Sequence, residues 1–247
     1  MIDHTRRSVL AAAGTGIALA AGSSVAGADE HGDDPETGDD GARVVHLSPD
    51  APALDIYVEG ELWFETVESL TVQDHYMPSE PGVYEVAAVP AGGELEDALV
   101  ETDCEVEPGP CTLGVVGEVC NLSGNPLDLV ALKDDFEPTE EDHARFRVVH
   151  AAPDVPAVDV ETEDGMVIAE GLGFGEAATA ELPAGESIVS IGADGESLAR
   201  FALEPAAGSV YSAFAVGYRD PEGAPDDAPE EFSFSLALSE DATPGER

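Results

Sequence analysis

The chain has 247 residues, 53 of them acidic and 9 basic, for a formal net charge of −44 with histidine neutral. A charge of that size excludes nucleic acid and anionic membrane surfaces as partners, since both would be repelled. Hydrophobic residues make up 43%, too many for a disordered acidic polymer and enough to build packed cores.

In chain order, Thr5-Arg6-Arg7-Ser8-Val9-Leu10 leads into an Ala/Gly-rich apolar run to about Ala21 and then into Ala26-Gly27-Ala28. A charged start, a short apolar stretch and a small-x-small cleavage site predict a signal peptide over residues 1–28. The run falls short of the ~20 apolar residues that span a bilayer, and the paired arginines predict the twin-arginine type. The mature chain is then expected to be secreted or held at the cell surface, without a membrane span. Removing Asp3, Arg6 and Arg7 leaves 52 acids and 7 bases, a net charge of −45, with Lys133 the single lysine. Such self-repulsion opposes a compact state in dilute buffer and is screened at ~1 M salt, where the Debye length is about 3 Å. This predicts a halophilic source and, with the twin-arginine leader, a haloarchaeon. Residues 29–41 have no apolar side chain to bury and are expected to form an acidic disordered linker.

The mature sequence contains one stretch twice. Arg43-Val-Val-His-Leu-Ser-Pro-Asp-Ala-Pro-Ala-Leu-Asp-Ile56 returns 104 residues later as Arg147-Val-Val-His-Ala-Ala-Pro-Asp-Val-Pro-Ala-Val-Asp-Val160, identical at 9 of 14 positions. A tandem repeat follows, with units at 42–137 and 144–239, each of ordinary domain size. Within each unit the pattern gives eight short strands separated by turn signals such as Glu59-Gly60, Ala91-Gly92-Gly93 and Asp194-Gly195. Phe232, Phe234, Leu236 and Leu238 alternate with small residues, the period of two of a half-buried strand. The expected fold is all-β, two tandem antiparallel β-sandwich domains, immunoglobulin-like or transthyretin-like.

The repeated pattern Val-His-x-x-Pro-Asp-x-Pro-Ala-x-Asp-Val/Ile resembles the opening of the domain of unknown function 4397 family, over both units and hence nearly the whole mature chain. The resemblance implies a β-rich extracellular module, often in tandem copies, and brings no activity, cofactor or catalytic residue. Tyr57-Val-Glu-Gly60 follows the family pattern; Glu161-Thr-Glu-Asp-Gly165 in the second copy is less regular.

The chemistry the motif offers is His46, Pro49, Asp50, Pro52 and Asp55, repeated as His150, Pro153, Asp154, Pro156 and Asp159. Two readings compete. Paired carboxylates with turn carbonyls suit Ca²⁺. Alternatively, prolines fix the turn, aspartates accept backbone amides and the histidine satisfies a strand-end carbonyl, a structural use commoner for such residues. Calcium-loop spacing is missing, and so are Gly-x-Ser-x-Gly, His-Glu-x-x-His and the P-loop. Cys104 and Cys111 flank Glu107-Pro-Gly-Pro110 and are the expected disulfide if that turn sets their strands side by side, leaving Cys120 over. Trp63, with Phe64 and Tyr57, would suit sugar stacking or partner binding if exposed; core is the commoner use, and the aliphatic counterpart of Trp63 in the second unit (Val167 or Ile168) favours it. The expectation is a non-catalytic binding or scaffolding module whose partner is an envelope glycan or surface protein. The alternative is an extracellular hydrolase using the His/Asp motif.

Overall fold

The computed structural model describes residues 41–73, 75–137, 142–220 and 233–242, together with the backbone of two short segments, β1 (Arg7–Ser8) and β2 (Leu10–Ala12). The rest of the expected leader, residues 29–40 of the expected linker, the joint at 138–141 and Phe232 at the expected start of the last strand lie outside the described residues.

The first unit runs β3 (Ala42–His46), β4 (Leu54–Val58), β5 (Glu61–Val67), β6 (Thr71–Val72), β7 (Gly82–Pro90), β8 (Val100–Val106), β9 (Cys111–Val116) and β10 (Asp128–Lys133). The second runs β11 (His143–His150), β12 (Ala157–Thr162), β13 (Val167–Gly173), β14 (Ala177–Pro183), β15 (Ser187–Ala193), β16 (Glu196–Leu203), β17 (Val210–Val216) and β18 (Ser235–Ala242). The pairing orders correspond strand for strand. One sheet is β6-β3-β9-β10 in the first unit and β14-β11-β17-β18 in the second. The other is β5-β4-β7-β8 in the first and β13-β12-β15-β16 in the second. The short segments β1 and β2 add to β6 and β18.

Lettering each unit's strands A to H gives D-A-G-H against C-B-E-F. The immunoglobulin order sets A-B-E-D against C-F-G, so of the two expected topologies the transthyretin-like one fits. Pairing is antiparallel except at A and G, where β3 runs parallel to β9 and β11 parallel to β17.

Burial explains why the inner strands lack a simple alternation. Each unit has its own core, around Leu54, Ile56, Phe64 and Leu113 in the first and Phe146, Leu182, Ile191 and Phe201 in the second. A third cluster draws on both: Val45, Leu47, Val116 and Leu132 meet Val149, Ala151, Phe214 and Val216. The two D-A-G-H sheets therefore pack face to face, and the molecule is four β-layers deep. Strands β9 and β17 are buried along their whole length, as expected for strands covered on both faces. The outer strand β16 keeps an alternation of exposed and buried residues. Strand β18 begins later than the pattern predicted and continues to Ala242, past Leu238.

Cys104 and Cys111 are separate thiols, so the expected disulfide is not formed. The turn between them does not make a hairpin. It carries the chain from β8 in the outer sheet to β9 in the inner one, so the two cysteines belong to different sheets and are not neighbours along one ladder. Burial pushes the Cys104 thiol up to about 11 and Cys111 up to about 12, which leaves both as protonated core side chains. Phe64 is core, and Trp63 is half-buried against it, 6.4 Å from the Tyr84 ring.

Candidate functional site

The motif residues surround the loop that leaves each A strand. His46 and His150 are wholly buried at the ends of β3 and β11. Each donates from Nε2 to a carbonyl in its own loop, Pro52 at 3.0 Å and Val155 at 2.7 Å. A carbonyl can only accept, which fixes the proton on Nε2. Desolvation lowers the pKa of both rings despite these bonds, so they are neutral.

The motif aspartates are committed to backbone. Asp50 accepts from the amides of Val119 (2.9 Å) and Cys120 (3.1 Å), and also from the Cys120 thiol. Asp154 does the same for Arg219 (2.9 Å) and Asp220 (2.8 Å). In both units a carboxylate thus ties the A–B loop to the segment after strand G. That segment turns at Gly117 and Gly217, both at positive φ, and a Cβ on Gly117 would run into the Pro126 carbonyl. Asp55 accepts from Thr66 (2.6 Å) and Gly92 (2.8 Å), and Asp159 from Gly171 (2.8 Å). Pro49 and Pro153 are buried, while Pro52 and Pro156 are exposed at the loop surface. The two carboxylates of each motif point at different loops. Among the described residues no group of three or more His, Cys, Asp or Glu side chains is placed to hold a metal ion.

The most densely organised polar cluster lies where the two inner sheets meet. Arg43 bonds Thr112 Oγ1 at 2.9 Å and pairs with Asp241 at 3.0 Å and Asp134 at 3.4 Å. Arg147 bonds Ser212 Oγ at 2.8 Å and pairs with Asp134 at 2.5 Å and Asp241 at 3.9 Å. Thr112 donates to Asp134, Ser212 donates to Asp241, and Tyr76 donates to Asp134 at 2.6 Å beneath the Arg43 guanidinium. All four charged side chains are at most 7% exposed. Each arginine reaches the aspartate of the other unit, so the cluster repeats itself about a local two-fold and is neutral overall. Burial pushes the Asp134 carboxyl up, but Arg147 and Arg43 outweigh it and hold it below its ordinary value. Burial likewise works against the Arg43 charge, and Asp241 with Asp134 more than restores it.

A second cross-unit tie lies beside the motif loops, where Asn125 donates to the Pro153 carbonyl at 2.7 Å. Sequence reasoning passed over Arg43 and Arg147. Their signal was visible: two of the few basic residues stand at the same first position of the repeated stretch.

Residues 41–161 match the domain of unknown function DUF4397. The matched span takes in the whole first unit and the motif of the second, ending within β12. No curated protein matches the chain in sequence. One solved structure, described as a "putative cell adhesion protein" from Bacteroides ovatus, aligns over 82% of this chain and 96% of its own, at 5% identity and a TM-score of 0.23. At that score it bears on neither fold nor function. No helix among the described residues is long and apolar enough to cross a membrane.

Proposed function

We propose that the protein is a non-catalytic binding or scaffolding module, exported by a halophilic archaeon and working at or near its cell surface. One observation carries the reading: in both units the reactive-looking side chains of the repeated motif are spent on backbone, the histidines on carbonyls of their own loop and the aspartates on amides of the segment after strand G. A base must face a substrate proton and a nucleophile must stand beside it; these groups build loops. The matched family carries no assigned activity, and the twin-arginine leader and acidic surface agree with work outside the cell in concentrated salt. Envelope glycan or an envelope protein is the partner class we favour, because the surface charge repels nucleic acid and anionic lipid.

The test is co-sedimentation of the mature protein with washed haloarchaeal envelopes in molar KCl over a concentration series. Saturable binding is expected. Binding that never rises above background would overturn the surface role. Calorimetry with Ca²⁺ in the same buffer is expected to give no heat attributable to the motif carboxylates, and a stoichiometric transition lost in Asp50→Asn and Asp154→Asn would overturn the loop-building assignment.

A further inference from the structure

The seam between the two units combines a buried adhesive face, with a neutral Arg–Asp cluster in it, with strongly like-charged bodies on either side. Residues 42–137 hold 21 acids against Arg43 and Lys133, a net −19. Residues 143–242 hold 20 acids against Arg145, Arg147, Arg200 and Arg219, a net −16. Within the Arg–Asp cluster the two arginines and two aspartates cancel, and the further buried acid Glu118 faces Tyr218 of the other unit, so most of the charge that sets the units against each other is on their solvated outer faces.

The two contributions respond differently to salt. Buried pairs and apolar contacts are hardly screened, whereas solvated charges are. Layers ~10 Å apart set the outer acids of the two units on the order of 30 Å from one another. That is about ten Debye lengths at 1 M salt and about one at 0.01 M. Falling salt therefore turns on a repulsion directed across the seam. The seam is also the thinnest apolar cluster, with 10 buried residues against 17 and 21 in the unit cores. The nine residues between Lys133 and β11 keep the units tethered if they part.

We propose that the seam is a salt-gated joint: as ionic strength falls the two sandwiches separate while each keeps its own core, uncovering the inner faces that carry Val45, Val149 and Phe214. The swapped Arg43–Asp241 and Arg147–Asp134 pairs give the faces one register in which to close again.

The experiment follows the mature chain by small-angle scattering, an apolar-surface dye and far-UV circular dichroism through a KCl series from ~3 M down to ~0.05 M. The radius of gyration and dye binding are expected to rise at a KCl concentration several-fold above the one at which the strand signal is lost. Asp241→Asn, which leaves a guanidinium under-compensated, is expected to move the opening to higher salt without moving the strand transition. Because that variant could also damage the second unit, a triple change on the outer face of the first (Glu101→Gln, Asp103→Asn, Glu105→Gln) provides an independent test, expected to move the opening to lower salt. Coincident scattering and strand transitions, a radius unchanged across the series, or an opening unaffected by the triple change would each overturn the proposal.

Discussion

The two units share a strand order and differ in what fills it. In the first, strands E and F are joined by Ala91–Leu99 with a short 3₁₀ turn at Leu95–Asp97; in the second, Asp194-Gly195 closes a tight hairpin. Strand D has two residues in the first unit and seven in the second. Strand G carries Gly114 where its counterpart carries Phe214, and Leu113 where the counterpart carries Ala213. What stays constant is the buried Arg at the first position of the motif, the histidine on a loop carbonyl and the aspartate on two amides after strand G. The comparison separates two kinds of constraint. Loop lengths and core volumes can drift when a neighbour compensates, whereas a buried charge or a carboxylate holding two amides has a single solution.

The largest effect is expected from the seam. Arg147→Ala leaves Asp134 short of its main counter-charge, and removing one partner of a buried pair costs about 3–5 kcal/mol. Denaturant unfolding in molar KCl should show a loss of that order, with Arg43→Ala alongside it if the local two-fold is energetically real. Phe214→Ala should cost about 3–5 kcal/mol through the cavity it leaves, whereas Gly114→Ala probes the lighter side of the same seam. There the new methyl would meet Val130 at 3.2 Å, so a smaller loss is expected, near the ~1 kcal/mol end of overpacking effects. Asp50→Ala and Asp154→Ala should each cost about 1.5–3 kcal/mol, the range for hydrogen bonds to a charged group. A large loss in only one unit would show that the motif has diverged in role.

The smallest effect is the pH response. Asp134 has a depressed pKa in the fold, so its stabilisation is present above the unfolded carboxylate value of about 3.9 and is lost as pH falls through the folded value. His46 and His150 are also depressed, so the unfolded chain takes up protons first. Stability should begin to fall below about pH 6.5 and continue falling through the folded values. Unfolding free energy against pH for wild type and His46→Gln with His150→Gln should therefore separate below neutrality and run parallel above it. Curves that stay parallel throughout would remove the histidines from the pH dependence.

Much of the fold was legible because its strands are short, turn-bounded and patterned. The motif also announced the repeat, and with it the matching halves. The topology was not legible, since the D-A-G-H order depends on which distant strands meet, and no local pattern encodes the parallel A–G pair. The disulfide expectation failed for the same reason: Glu107-Pro-Gly-Pro110 reads as a hairpin turn, but the chain there changes sheets. The seam could have been suspected from Arg43 and Arg147. Its partners could not, because Asp134 and Asp241 are two among 53 acids and nothing local separates a buried acid from a solvated one.

The parallel pairing of A with G has a kinetic consequence. Arg43 opens the first unit and lies opposite Thr112 near the start of β9, so the first strand made waits for one of the last before its ladder is complete. Contacts so distant along the chain place each unit among slow folders, on the millisecond-to-second scale typical of β-sandwiches. A chain stopped before β9 holds an inner strand paired on one edge only, with its arginine still short of Thr112 and Asp134. Each sandwich is therefore completed as a whole, and the seam can form only after β17 and β18 exist.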